Sequence, residues 1–549
     1  MSAPAIHFEG GLAVVRFESF GLEAYELFLA AKGLPEHQLQ FHEETQTYSL
    51  TTPARFAHLL GAEPPEHRSP SGLITLPSGW DYQLFGLEEA LEAKRWAAWW
   101  DCGMGKTWLE WAFAFSVAAK TGGRVLILTL NEVVPELLAM MDGWYGERPP
   151  CPVRRIHSRA ELVRWARGDF GSGPEVAITN YGKMVSPTVG HTKRGADEIP
   201  EFRFLAGVVA DESSILKTGG GAIKWSLIKS AKGVEYKLSA TGTPAPNDAM
   251  EYASQGAFLE RLRTEGEILW TYFSKDRAGE WYIKPHAREA FYGFLASWSM
   301  YLRDPSAYGF RDNVRPVPDP IYMEHVVPAT RAQLAIAERL AGPRSGDLFE
   351  QPKALGVAER SKLSQAARGF MYRKGGDGTF DVVDSLKPVF AADLLRREAA
   401  AGEQFIYWAD FNAETAVLQD VLAGSGIEIG FISGGTPRER RRDIVKDFQR
   451  GDLQGLASKD SLIGFGLNLP MATAHVGSPT DSYERFYQRT KRSYRYGQRQ
   501  RLRVHLPYVP ELEGAQLANQ NQKMRGFEMD ALEMQRYYAA GMRRNGGLR

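Results

Sequence analysis

Residues 96–108 read Trp-Ala-Ala-Trp-Trp-Asp-Cys-Gly-Met-Gly-Lys-Thr-Trp, an apolar strand that passes through a glycine-rich turn into an amphipathic helix. That order decides the fold class. A strand that enters a helix through Gly-Met-Gly-Lys-Thr leaves free backbone N–H groups at a helix N-terminus, where phosphate oxygens bind readily. Gly103, Met104 and Gly105 form the cradle, Lys106 can reach the outer phosphates and Thr107 can ligate Mg2+. The strict G-x-x-x-x-G-K-T pattern is broken, because Trp100 stands where its first glycine belongs. Alone, such a turn can be incidental.

Outward from this turn the text alternates apolar strands with helical stretches. Trp96–Trp100, Val125–Leu130, Glu175–Thr179, Leu205–Ala210 and Tyr236–Ser239 predict parallel β-α-β units over residues 80–249. Residues 250–390 read as mostly helical, with proline-dense breaks at 304–330. The rhythm resumes with Gln404–Ala409, Ile427–Ile432, Gly455–Ser458, Ala474–Gly477 and Arg503–Leu506, so a second sheet domain is expected over 391–510. The predicted class is α/β. A small α+β domain is expected over 1–62, with one helix at Leu22–Lys32, then a Gly/Pro-rich linker over 63–79 and a helical tail over 511–549.

A chain of 549 residues is too long for one core. Its apolar content of 44% and charged content of 24% are those of ordinary globular protein, and its formal net charge is zero. Any nucleic-acid surface must therefore come from local patches such as Arg438–Arg442 or Lys491–Arg503. Two cysteines, Cys102 and Cys151, fit a reducing compartment and exclude a disulfide framework or a cysteine-rich zinc site. The N-terminus has no signal pattern, and the apolar stretch Trp108–Ala119 is short and interrupted by Glu110, so a cytosolic protein is expected.

Other strand ends carry matching chemistry. Leu205–Ser214 is an apolar strand closing on Asp211 and Glu212; Asp211 can hold the Mg2+ hydration shell while Glu212 orients and deprotonates a water. The plainer reading is a strand followed by an Asp/Ser helix cap. Ser239-Ala-Thr241-Gly-Thr-Pro ends another strand with hydroxyls suited to coupling, and Tyr82-Gln83 offers an amide that can read adenine. Downstream, Gly464-Phe-Gly466-Leu-Asn-Leu supplies a glycine-rich turn. Gln488, Arg492, Arg495, Gly497 and Gln498 then form Q-x-x-x-R-x-x-R-x-G-Q, which on a helix places Arg492 and Arg495 on one face as candidate arginine fingers. A basic helix is otherwise a solvated face.

Taken in order, these blocks resemble helicase superfamily two over roughly residues 75–510, and R-x-x-R-x-G-Q resembles its Swi/Snf-type branch of double-stranded DNA translocases. Thr179-Asn180-Tyr181 and the Arg440, Ile444, Phe448 spacing agree. The resemblance implies two RecA-like parallel-sheet lobes, ATP and Mg2+ between them, a helical insertion, and DNA, duplex, forked or single-stranded, as polymer partner. It also implies DNA contacts near Thr129, Asn131, Asn180 and Tyr181 in lobe one, and near Ser433, Gly434, Ser458, Lys459 and Asn468 in lobe two. Trp96, Trp99 and Trp100 read as core rather than as a stacking platform.

Ser213-Ser214 replaces the usual Ala/Gly-His after the acidic pair, and the branch's W-N-P block is not evident. Leu22–Lys32, Phe41–Leu50 and Ala54–Leu60 faintly resemble the accessory domain of annealing helicases. The expected role is ATP-driven movement on DNA in bacterial or phage replication, recombination or repair, with replication or recombination proteins as possible partners. Two alternatives stay open: an RNA helicase, or a nucleotide-gated clamp or annealing subunit of a restriction or defence complex.

Overall fold

The structure is a computed structural model describing all residues except 1–4, 10–11, 18–21, 33, 35–36, 43–44, 46, 54–56, 58–59, 63–73, 75–78, 147, 187–196, 218–220, 245–250, 276–280, 311–317, 342–355, 374, 376–377, 464–467, 496–497, 499 and 545–549. The chain divides into two compact units, 1–314 with 528–549, and 315–527. Among the described residues no helix is long and apolar enough to cross a membrane.

The first unit opens with a small antiparallel sheet of β1 (Ile6–Glu9), β2 (Leu12–Phe17), β3 (Gln38–His42) and β4 (Thr47–Pro53), in the order β1-β2-β4-β3. Its helix α1 (Leu22–Lys32) packs Ala24, Leu27 and Phe28 on Val15, Phe17 and Leu50. Most of the Ala54–Leu60 stretch and of the 63–79 linker lies outside the described residues.

The large sheet of this unit uses β5 (Arg95–Trp100), β6 (Arg124–Thr129), β7 (Val153–Arg155), β8 (Glu175–Asn180), β9 (Gly207–Asp211) and β10 (Tyr236–Ala240). They alternate with helices α2 (Asp81–Ala93), α3 (Lys106–Thr121), α4 (Val134–Tyr145), α5 (Arg159–Arg167) and α6 (Ala222–Ser230). Beyond β10 come α7 (Glu251–Phe258), α8 (Gly266–Tyr272), the hairpin β11 (Phe273–Lys275) and β12 (Trp281–Ile283), α9 (Arg288–Ala296) and β13 (Ser299–Leu302). The sheet order is β13-β5-β10-β9-β6-β8-β7, and every pair is parallel. Helices cover both faces of such a sheet, so its strands are continuous apolar runs. Trp96, Trp99 and Trp100 are buried as core.

The second unit contains β14 (Ile321–Val326), α10 (Arg331–Ala341), α11 (Val357–Ala367), the hairpin β15 (Phe370–Tyr372) and β16 (Phe380–Val382), and α12 (Lys387–Ala400). There follow β17 (Gln404–Trp408), α13 (Asn412–Leu422), β18 (Ile429–Ile432), α14 (Arg438–Arg450), β19 (Gly455–Ser458), α15 (Asp460–Ile463), β20 (Ala472–Gly477), α16 (Tyr483–Thr490), β21 (Arg503–Tyr508) and the start of α17 (Pro510–Arg544). Its sheet, β14-β21-β20-β17-β19-β18, is also wholly parallel.

The α/β class with two parallel-sheet lobes and a small N-terminal α+β domain is therefore observed. Residues 250–390 correct the expectation of a mostly helical insertion. β13 pairs with β5 in the first sheet, β14 pairs with β21 in the second, and two hairpins stand among the helices. Four-residue β13, Ser-Met-Tyr-Leu, follows the amphipathic α9 almost directly, so its pattern reads as more of the same helix.

Candidate nucleotide site

Parallel strands present their C-terminal ends at one edge of a sheet. Because β10 lies between β5 and β9, the Gly103–Thr107 loop after β5, the turn after β10 and the acid pair at the end of β9 open side by side.

The loop takes its shape from two glycines. Gly103 and Gly105 have φ of +86° and +81°, where a Cβ is strained. At Gly105 a Cβ would also lie 2.0 Å from Gln83 Nε2. Gln83 Nε2 and the Tyr82 hydroxyl both donate to the Met104 carbonyl, at 3.3 and 3.2 Å, while Gln83 Oε1 accepts from the Trp80 N–H at 3.0 Å. This corrects the adenine-reading expectation for the described conformation: the amide is engaged at both ends by backbone, and buried Tyr82 braces the loop. Lys106 Nζ donates to the carbonyls of Trp100 at 2.9 Å and Asp101 at 3.4 Å. Burial works to lower its ammonium pKa, but the nearby Cys102, Glu212, Asp101 and Asp211 raise it on balance. Thr107 stands half-buried in the first turn of α3.

Asp211 is held from two sides. Its carboxylate accepts from Thr129 Oγ1 at 2.5 Å, and its carbonyl accepts from the Tyr181 hydroxyl at 2.6 Å. Thr129 and Tyr181 are thereby corrected as DNA contacts: both are buried and serve Asp211. The same two strand ends do present Asn131 and Asn180 outward, joined by an exposed 3.1 Å bond from Asn180 Nδ2 to Asn131 Oδ1.

Glu212 adopts φ +48°, a left-handed conformation uncommon for a non-glycine residue. Its Oε1 accepts from Thr241 Oγ1 at 3.2 Å and Ser214 Oγ at 3.3 Å. Burial raises its pKa, against the opposing pull of Lys106, and neighbouring Asp211 adds to the rise. Thus Lys106, Asp211, Glu212 and Thr241 form one cluster. Ser239 is buried instead, with its hydroxyl on Gln255 Oε1 at 2.9 Å.

Two members of the cluster escaped the sequence reading. Glu110, one turn along α3 from Lys106, is wholly buried, and both its oxygens lack a hydrogen-bond donor. Burial pushes its carboxyl well above the usual range, and the nearby charge of Asp211 pushes the same way. The other is Gln255.

The second unit holds a buried ion network beneath α16. Arg489 Nη2 lies 2.6 Å from Asp410 Oδ1 and its Nε 3.3 Å from Asp460, Arg485 forks onto Asp460 at 2.8 and 2.9 Å, and Arg368 reaches the other Asp410 oxygen at 2.9 Å. Burial would raise the Asp410 pKa, but Arg489, Arg368 and Arg485 hold it far below the usual carboxylate range. Lys459 is half-buried, and burial lowers its ammonium pKa despite nearby Glu414 and Asp410.

Arg492 and Arg495 are not on a helix, which corrects the shared-face reading. α16 stops at Thr490, and Lys491 closes it by donating its N–H to the Tyr487 carbonyl. The following turn is tied down by Leu469 N–H donating to the Arg492 carbonyl at 2.8 Å, by Ser493 Oγ on His475 Nε2 at 2.8 Å, and by Gln498 Nε2 on the Ala472 carbonyl at 2.8 Å. Gln488, Arg492 and Arg495 are each half-buried. Gly466 and Gly497 lie outside the described residues.

Of the remaining lobe-two positions, Gly434 and Asn468 are exposed and Ser433 is half-buried. Arg441 fastens this loop by donating to the carbonyls of Thr436 at 2.7 Å and Gly434 at 3.0 Å. Ser458 is corrected: it is fully buried and donates to the Lys459 carbonyl at 3.0 Å.

Residues 387–497 match the family model of the helicase conserved C-terminal domain. That segment lies within the second unit. The matched segment falls where the second sheet lobe was expected from the motifs. No curated protein matches the chain. Among solved structures, the chain is similar to the SWI2/SNF2 ATPase core of Sulfolobus solfataricus in complex with double-stranded DNA, at 18% identity and a TM-score of 0.37, covering 85% of this chain and 96% of that one. It is likewise similar to the same organism's SWI2/SNF2 ATPase core domain, at 18% identity and a TM-score of 0.35, covering 81% and 89%.

Proposed function

We propose that this chain is an ATP-dependent DNA translocase or helicase acting on duplex, forked or branched DNA in bacterial or phage genome replication, recombination or repair. The observation that carries the reading is the single sheet edge on which Lys106, Asp211, Glu212 and Thr241 converge, in a chain whose residues 387–497 match the helicase conserved C-terminal domain. Lys106 and the Gly103–Thr107 amides suit a triphosphate. Glu212, desolvated and oriented by Thr241, suits a base that positions and deprotonates a water.

The residues also fit Mg2+. Lys106 is one cation facing Asp211 and Glu212, and a triphosphate would add more negative charge, so a divalent ion with oxygen ligands completes the charge balance. Thr107 and Asp211 would hold it, and it would neutralise charge on the phosphates. Thr129 and Tyr181 keep Asp211 in place for that task. Arg492 and Arg495 are the proposed charge-stabilising groups of the second unit, and Gln488 supports their segment. Asn131, Asn180, Ser433, Gly434, Lys459 and Asn468 are the proposed polymer contacts, made through small polar groups and backbone amides as phosphate recognition requires.

ATP turnover of the wild type, Lys106→Ala and Arg495→Ala, measured without polymer and with single-stranded, duplex or forked DNA or structured RNA, tests the reading. Stimulation by duplex or forked DNA that both variants lose is the expected result. Stimulation by RNA alone, or by no polymer, would refute it.

A further inference from the structure

Gln255 sits on α7, just beyond the Ser239–Pro244 turn, and is 1% exposed. Its side-chain amide joins four parts of the site. Oε1 accepts from Trp99 Nε1 at 2.7 Å, Ser239 Oγ at 2.9 Å and Ser213 Oγ at 3.3 Å, and Nε2 donates to the Pro244 carbonyl at 2.9 Å. Trp99 belongs to the strand that feeds the phosphate loop, Ser213 directly follows Glu212, and Ser239 and Pro244 bound the turn that carries Thr241. One amide thus bonds the strand that feeds the phosphate loop, the residue after Glu212 and both ends of the Ser239–Pro244 turn.

The amide oxygen is oversubscribed. It has two lone pairs and three donors, so the three bonds cannot all be strong at once. The longest is the one from Ser213, the residue bonded in sequence to Glu212. Glu212 itself is held in a left-handed backbone conformation, so any relaxation there moves Ser213 first. The opposite end of the amide grips a proline carbonyl, a rigid point on the turn.

We propose that Gln255 is a positioning residue that couples the Asp211-Glu212 pair to the Ser239–Pro244 turn, with Ser213 as the exchangeable donor. When Glu212 shifts, Ser213 leaves Oε1, the Trp99 and Ser239 bonds strengthen, and the Nε2 bond transmits the change to Pro244. This inference rests on the translocase reading, because the coupling it describes is seen as stimulation of turnover by DNA.

The test compares basal and duplex-stimulated turnover, with KM for ATP, in wild type, Gln255→Met, Ser213→Ala, the double variant and Trp99→Phe. In Gln255→Met the ratio of stimulated to basal kcat is expected to fall about tenfold or more while KM for ATP stays within about twofold. Ser213→Ala lowers the ratio less, the double variant falls no further than Gln255→Met, and Trp99→Phe, which removes only the donor on the strand side, keeps the ratio within about twofold. If Gln255→Met does not fold, the Ser213→Ala ratio decides. An unchanged ratio in Gln255→Met and Ser213→Ala overturns the inference. So does an equal loss of basal and stimulated turnover, which marks a purely structural role. A wild type that no DNA stimulates overturns the translocase reading, and this inference with it.

Discussion

His475 offers a prediction whose size follows from its surroundings. It lies on β20 with 2% exposure, its Nε2 is 2.8 Å from Ser493 Oγ, its Nδ1 is buried without a partner, and Trp408 stands edge-on to the ring. Burial first, and then the charge of Arg489, hold the imidazole down to about 3, against 6.5 for an ordinary histidine. The folded state therefore binds fewer protons than the unfolded state between these values. Its contribution to stability is fully present above 6.5 and is lost as pH falls toward about 3. Each pH unit inside that window costs about 1.4 kcal/mol, so by about pH 4.5 the loss is roughly 3 kcal/mol. His475→Leu removes the titration while keeping an apolar filling. Hydrogen exchange of β20 peptides, followed from about pH 7.5 to about pH 4.5, should show the stability gap between wild type and variant shifting by that amount in the variant's favour. Because Ser493 lies between Arg492 and Arg495, turnover should fall over the same range. A gap that does not move with pH would refute the assignment of a buried neutral imidazole.

Three further outcomes are expected. Thr129→Val removes the 2.5 Å bond to Asp211 and should lower kcat about ten- to a hundredfold while leaving duplex affinity, read by fluorescence anisotropy, unchanged; a selective loss of DNA binding would restore Thr129 as a polymer contact. Arg489→Met leaves Asp410 with Arg368 and Arg485 only, and should cost about 3 kcal/mol in urea unfolding of the second unit, the lower end for breaking a buried ion pair. Gly105→Ala meets both a left-handed backbone and Gln83 Nε2 at 2.0 Å, so binding of a fluorescent ATP analogue should weaken at least about tenfold, and Gln83→Ala should recover part of it.

The strand ends were legible because their signals are local. β5, β6, β8, β9 and β10 in the first unit and β17, β18, β19, β20 and β21 in the second each fall within a few residues of the expected positions. Apolar runs of strand length, separated by helical periodicity, demand a parallel sheet covered on both faces. The residues that close such strands, Gly103–Thr107, Asp211-Glu212 and Ser239–Thr241, then converge because parallel strands end together. Partner choice among side chains has no such signal. Thr129 ends β6 and Tyr181 directly follows β8, positions that read as surface, yet each turns inward onto Asp211. Asn131, two residues after Thr129, and Asn180, just before Tyr181, turn out.

The two residues that joined the site unannounced left traces of different kinds. Glu110 was visible as the one charge in an otherwise apolar stretch, 108–119, and such a residue in a buried helix must be paired, protonated or functional. Nothing in the text said that α3 would lay it on β9 beside Asp211. Gln255 left no trace, since an uncharged amide in an amphipathic helix is ordinary, and its importance comes from donors on β5 and β10 and just beyond β9 that only the folded sheet assembles. The arginine segment shows a third limit. Arg492 and Arg495 are one helical turn apart by spacing, but Ser493 between them is bound to buried His475, and the Arg492 carbonyl is taken by Leu469. Those tertiary bonds outbid continuation of the helix past Lys491, so the two guanidinium groups are set by β20 and by the segment preceding it rather than by helical periodicity. Loosening that support, through His475 or Gln498, should therefore shift the arginines more than extending the helix propensity of residues 491–495 would restore them.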